Sequence, residues 1–263
     1  MAEKAKKKVV RVEHTEAAAK EDSSFTPSVE AKAKATKLRI FAWVLWLLAI
    51  GGEAFAYFWI MQQDPINMVF LVGAIVLIGV LAAFGSVLWK RANQADPARR
   101  SEPTKFFIQN QLGAIMTAIA FLPLIILILL NKDMDGKQKG IAGGIAVVVM
   151  LIAGYVGTTQ DSPSVEKYDA ESTVVMELTG GDQVFWTKSG EVYHLCADVS
   201  AVNLDSADNQ IYQGTVGDAH AAGKQRLTLQ VDQELEQCGF DAVAPAANVD
   251  GTVEPTIEAS PAS

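Results

Sequence analysis

The stretch GEVYHLC, Gly190–Cys196, sets a histidine two residues from a cysteine, and the chain's other cysteine, Cys238, follows about forty residues later. If Glu191–Cys196 is a strand, alternation puts Val192, His194 and Cys196 on one face and Tyr193 and Leu195 on the other. Three arrangements use that set. A four-coordinate zinc site would take His194, Cys196 and Cys238 with Asp198 or His220 as the fourth ligand. A Cys196–Cys238 disulfide would contribute roughly 3–4 kcal/mol by closing the loop between them, in a compartment oxidising enough to keep it. In a reducing compartment the same residues would be two buried thiols and a hydrogen-bonded histidine. No GxSxG, Walker A, HExxH, CxxC or dinucleotide fingerprint occurs, so the chain reads as non-catalytic, with zinc as the one cofactor the residue types allow.

Glu53 lies inside an apolar run, about 12 Å of helix from the end of that run at Met61. An acid at such depth faces protein or water, which leaves two readings: a residue near the outer interface, or a contact with a partner subunit, since no Lys, Arg or His of the chain is embedded with it. His14, His194 and His220 all fall outside the apolar runs, so haem within the membrane has no axial ligand here, and one embedded acid is not a proton relay. Gly140 and Gly144 have the GxxxG spacing that lets helices approach closely. Packing within the chain's own bundle is favoured over a partner interface. The basic run KAKKK, Lys4–Lys8, suits an anionic lipid surface better than nucleic acid, since no nucleic-acid-recognition fold accompanies it.

These residues are carried by a chain of two unlike halves. Of its 263 residues 50% are apolar, and they concentrate between Ile40 and Val156. Residues 1–39 hold ten bases and six acids, while residues 157–263 hold four bases and eighteen acids. Residues 1–36, poor in apolar side chains, predict a disordered basic arm. Four runs are long enough to cross a hydrocarbon layer of ~30 Å: 40–61, 67–89, 106–130 and 140–157. The arm and the loop from Lys90 to Lys105 hold fifteen Lys and Arg, the first loop none and the third loop three, which predicts both termini in the cytoplasm. Residues 161–240 predict a small α+β domain: STVVMEL, QVFWTK and EVYHLC as strands, a helix in GTVGDAHAAGK capped by Thr215, and a helix over Arg226–Cys238 stopped by Gly239. The tail 241–263 has no periodicity and predicts disorder. The fold class is therefore membrane all-α, four transmembrane helices followed by a small α+β domain.

Two resemblances add to this. The residues Ser189, Gly190, Tyr193, His194, Leu195, Gly214, Thr215, Ala219, Gly223 and Lys224 follow a pattern that resembles small Ada-type zinc-binding-like bacterial domains. Those domains place a cysteine several residues after the histidine and finish on C-x-x-C; here Cys196 comes two residues after His194 and Cys238 has no such neighbour. The whole layout, with its basic arm, KLRIFAWVLWLLAIGGEAFAYFWI, three further spans and a terminal domain, is similar to an accessory membrane subunit of the actinobacterial respiratory supercomplex of a cytochrome bc-type complex and an aa-type oxidase. That resemblance implies a cell-membrane protein that packs against other integral membrane subunits of a respiratory complex. The alternative reading is a membrane-anchored binding or sensing module whose terminal domain holds zinc or a small ligand.

Overall fold

The computed structural model describes residues 7–12, 25–158, 162–204 and 208–240. The disorder predicted for the rest of the arm and for the tail lies outside the described residues. Among the described residues four helices are long and apolar enough to cross a membrane. They are α1, Val29–Phe55, which runs on as a π-helical turn over Ala56–Ile60; α2, Met68–Ala95; α3, Pro103–Leu130; and α4, Gly136–Gly157. The first helix begins well before Ile40, inside the segment predicted as a disordered arm. Ser28 caps it by accepting the Ala31 N–H at 3.1 Å, and EAKAKATK is built from strong helix formers. The other spans also outrun their apolar cores, because a helix continues past the hydrocarbon until capping or proline stops it. Asp135, for example, caps α4 in a reciprocal box with Gln138.

Helix α2 packs against each of the other three. Leu71, Ile75, Ile78, Ala82, Phe121, Leu124 and Ile128 fill the centre with the small residues Ala49, Ala142 and Ala146. One crossing is set by backbone: a Cβ added to Gly157 would lie 2.8 Å from the Gly113 carbonyl carbon and 2.9 Å from the Ala114 nitrogen. At the same end Trp43, Trp46 and Trp89 form an aromatic cluster. The Arg39 guanidinium lies 5.8 Å from the Trp89 ring centroid and pairs with Asp96 at 2.7 Å. Phe41, Leu47, Phe84, Ile126, Leu129 and Leu151 face outward, as an apolar solvent requires.

The terminal domain opens with α5, Val165–Thr179, where STVVMEL had predicted a strand. The β-branched run misleads because Val165, Tyr168, Glu171, Val175 and Leu178 recur at helical spacing; Ser164 caps the start, and Gly180, at φ 80°, ends the helix in the left-handed region. Then come β2, Val184–Trp186; β3, Val192–Tyr193; β4, Gln210–Gly214; α6, Val216–Ala221; β5, Arg226–Leu227; and α7, Val231–Cys238. Helix α7 starts later than predicted because Arg226 and Leu227 pair with β3 in parallel. Thr215 caps α6, and Gly223 and Gly239 adopt positive φ after α6 and α7. A further strand comes from the other end of the chain. Lys8–Arg11, β1, lies parallel to β4, with Val9 opposite Ile211 and Val10 opposite Tyr212, making a sheet of order β1-β4-β2. The arm is thus in part an edge strand of the terminal domain, where residues 8–11 meet residues 210–213.

The Gly113/Gly157 crossing makes a prediction. Gly157→Leu must push α4 off α3, since a backbone neighbour cannot rotate away, at a cost of about 1–3 kcal/mol or more. Thermal unfolding in detergent should show a lower midpoint for Gly157→Leu and an unchanged one for Gly51→Leu, whose Cβ meets nothing within 4 Å.

Candidate functional site

The segment holding His194 is pinned before its side chains act. Phe185 N–H donates to the His194 carbonyl at 2.8 Å and His194 N–H to the Phe185 carbonyl at 2.7 Å, fixing the strand after β3 against β2. Helix α7 then presents Glu234 and Cys238, four residues apart and so on one face, to His194 and Cys196, two residues apart along the strand. Two rungs result. Cys196 and Cys238 form a disulfide with Cα atoms 5.9 Å apart. Glu234 accepts from His194 Nδ1 through Oε1 at 2.6 Å and from the Leu195 N–H through Oε2 at 3.0 Å. His194 and Glu234 are both buried, so neither partner of this pair can turn to water instead.

The structure therefore brings His194, Cys196 and Cys238 together as the sequence spacing suggests, and bonds the two sulfurs to each other. The proposed fourth ligands stand apart: Asp198 is exposed and His220 belongs to another cluster. Among the described residues no group of three His, Cys, Asp or Glu side chains is gathered where it could hold a metal ion. Strand alternation is also overridden, because Tyr193, His194 and Leu195 are all buried; this strand has protein on both faces.

His220, on α6, centres the second cluster. Its Nδ1 lies 2.9 Å from the Lys224 carbonyl and its Nε2 lies 2.5 Å from Glu171 Oε2. The imidazole is thus held between two oxygens, one of the main chain and one of a carboxyl group. The Tyr193 hydroxyl donates to the same Glu171 oxygen at 2.7 Å, and Lys167 stands 3.7 Å from the other. Burial works to raise the Glu171 carboxyl, but the hydrogen bond and charge of His220, with Tyr193 and Lys167, outweigh it and hold Glu171 below the ordinary carboxylate range. Burial, with the Glu171 carboxylate second, pushes the Tyr193 phenol well up, so it remains a donor. The Tyr168 ring stacks on the imidazole at 3.9 Å and 2°, and its hydroxyl donates to the Gln94 carbonyl in the last turns of α2 at 3.0 Å. Lys224 donates to the carbonyls of Thr187 at 2.7 Å, Lys188 at 3.2 Å and Gly190 at 2.5 Å. Burial lowers its ammonium. Sequence reasoning missed this cluster because Glu171 was assigned next to a strand rather than to a helix face; the signal available was the i, i+3 spacing of Tyr168 and Glu171.

In the bundle the two sequence-selected sites exchange roles. Glu53 is 8% exposed and turned into the chain's own bundle, with the Leu124 main chain beside its carboxyl, so it is not placed to meet a partner subunit or the outer interface. Gly140 and Gly144 are exposed and nothing lies within 4 Å of a Cβ built on either. Ala142, Gly143, Ala146, Ala153 and Gly157 are the residues of α4 that face inward. The expectation that the GxxxG pair serves this bundle is overturned by rotation of α4, which buries the alanines.

Each rung on α7 has an expected cost. Glu234→Leu leaves the Leu195 N–H and the His194 ring buried without an acceptor and should destabilise the domain by about 1–3 kcal/mol. Loss of the disulfide in Cys196→Ala/Cys238→Ala should cost up to about 4 kcal/mol, the loop-closure value for the bridged segment. Both are read from denaturant unfolding followed by tryptophan emission, Trp186 being buried in this domain. The pH dependence follows from Glu171. A carboxyl held low in the folded state adds stability that is complete above the unfolded value of ~4.3 and is lost as the pH falls through the folded one. The wild-type domain should weaken on acidification through that window, and Glu171→Gln should be weaker at neutral pH with a flatter acid limb.

In comparisons with known protein families, curated proteins and solved structures, this chain matches none.

Proposed function

We propose that this chain is a non-catalytic accessory subunit that sits in the membrane and packs against other integral membrane proteins. The observation that carries the reading is the outward GxxxG face of α4: Gly140 and Gly144 are open and flanked by exposed Ile141, Val148, Leu151 and Tyr155. Between helices in lipid, close backbone approach is what holds a pair together, and a small-residue face turned away from its own bundle is suited to a neighbour. A groove of about 480 Å³ between α1 and α2, lined by Leu48, Gly52, Phe55, Gly73 and Leu77, offers a second seat for an apolar helix. The layout's resemblance to an accessory subunit of a respiratory supercomplex makes such a complex the partner of choice.

A second reading, a membrane-anchored binding module, is favoured by a cleft of about 460 Å³ between the domain and the start of α1. It is lined by Lys34, Lys188, Trp186, Tyr212 and Asp218.

Sidedness belongs to the same proposal. The excess of Lys and Arg in the amino-terminal arm and the loop from Lys90 to Lys105 supports a reading with both termini in the cytoplasm. The Cys196–Cys238 disulfide argues for the opposite side, because disulfides persist where the compartment is oxidising.

Extraction in mild detergent and native electrophoresis should show the chain migrating with haem-containing subunits. Gly140→Ile/Gly144→Ile should release it while its own unfolding midpoint stays within about 1 °C, because those positions touch nothing in the chain. A lone monomer free of cytochrome spectra would sink the proposal. Labelling of Cys196 and Cys238 by an impermeant thiol reagent, after reduction, in intact cells and in inverted vesicles reads the side: labelling in vesicles alone agrees with the proposal.

A further inference from the structure

Among the described residues three buried acceptor oxygens in the long apolar helices have no hydrogen-bond partner: Glu53 Oε1, Asn93 Oδ1 and Asn110 Oδ1. A buried acceptor without a donor costs about 1–3 kcal/mol, and an ionised carboxylate in apolar surroundings costs far more. A membrane bundle that keeps three such atoms calls for donors that are not side chains. Water satisfies buried amides in this way, and a proton satisfies a carboxylate.

The polar residues are not scattered. Asn110, Thr117 and Leu124 follow at intervals of seven along α3, and so do Ser86 and Asn93 along α2, so each set lines one face. All four polar side chains are at most 3% exposed. Asn93 donates to the Gln109 carbonyl at 2.5 Å, Ser86 Oγ reaches the Gly113 carbonyl at 3.4 Å, and Thr117 Oγ1 donates to the same carbonyl at 2.9 Å. This file runs inward from the domain-bearing end of the bundle. From Thr117 to Leu124, beside Glu53, is about 10 Å of helix, and the buried residues at that depth are the small Ala49, Ala82 and Ala120 together with Ile78 and Phe121, so the asymmetry about Glu53 lies in the buried polar side chains, all of which stand on the domain side of it. On the other side of Glu53 the core is made of Ile60, Met61, Ile66, Leu71, Ile128 and Met134, which are large and without a polar atom. Both helices at Glu53 are irregular at this depth. Pro123 removes an N–H from α3, leaving a carbonyl one turn earlier without its helical donor, and α1 turns π-helical from Ala56.

We propose that Glu53 is a proton-binding site in the membrane interior, supplied by water from the domain-bearing end along Asn93, Asn110, Ser86 and Thr117. The step is a transfer of one proton from hydronium to the carboxylate, forming the carboxylic acid and water; nothing is oxidised or reduced. The asymmetry of the lining makes the site one-sided: it exchanges with one face of the membrane and is sealed from the other. This does not depend on the partner reading above.

Infrared difference spectra of the full chain in liposomes test it. At neutral pH a protonated-carboxyl C=O band should be present in the wild type and missing in Glu53→Gln. On transfer to heavy water that band should shift, and Asn110→Leu/Thr117→Val should slow the shift at least tenfold, whereas Ile60→Val at the sealed end should not. Absence of a Glu53-dependent band overturns the site. A band whose exchange is equally fast in the double variant overturns the route. Should the double variant fail to fold, Ser86→Ala is read the same way, with slowed exchange supporting the route and unchanged exchange overturning it.

Discussion

The joint between domain and bundle depends on one imidazole with acceptors on both sides. His220 sets its two ring nitrogens against the Lys224 carbonyl and the Glu171 carboxylate at once. Glu171 then has a counter-charge that makes its burial tolerable, and Tyr193 gains a fixed acceptor. The stacked Tyr168 carries the arrangement to the last turns of α2 through Gln94. Ala221, next to His220, packs with Ala31, Ala35, Ala92 and Ala95 at the ends of α1 and α2. Removing either charge would strand the other inside the protein, where an unpaired ion costs several kcal/mol. A polar group at this joint acts as a register pin, since apolar contact between alanines would tolerate sliding.

How much of this was legible in the sequence follows from what each signal measures. The four long apolar helices were legible because predominantly apolar runs of that length have few other destinies. Thr215, Gly223 and Gly239 were legible because caps and left-handed stops are local chemistry. The helical start of α1 was hidden by composition: alanine and lysine read as disorder when no apolar stripe accompanies them. Helix α5 was hidden by Thr173, Val174 and Val175, whose β-branching outvoted a helical face that holds a glutamate in the position of a core residue. The pairing of residues 8–11 with 210–213 could not be read at all, since four residues of KVVR carry no record of a partner two hundred positions away.

The candidate sites divide the same way. His194, Cys196 and Cys238 were found from spacing, and α7 explains the spacing: a helical repeat of four set against a strand repeat of two matches two rungs at once. Their chemistry needed Glu234, an unremarkable acid among several on a polar helix. In the bundle, Glu53 was found because acids in apolar runs are conspicuous, whereas Asn93 and Asn110 near the helix ends look like ordinary boundary residues. What separates them from boundary residues is burial, which only the packing of α2 on α3 decides. The orientation of Gly140 and Gly144 is likewise a matter of helix rotation, settled by which side of α4 the alanines occupy.

The parallel pairing of β1 with β4 has a consequence for how the chain is made. Lys8–Arg11 is made before the four long helices and Gln210–Gly214 after them, so the first strand stays unpaired until every helix between them has been made. The sheet can close only if both ends finish on the same face, which needs an even number of crossings. A chain that skipped an insertion would leave β1 on one side and β4 on the other, with the domain's edge open to proteases. The small sheet is thereby a joint whose closure records how the four long helices between its strands are arranged.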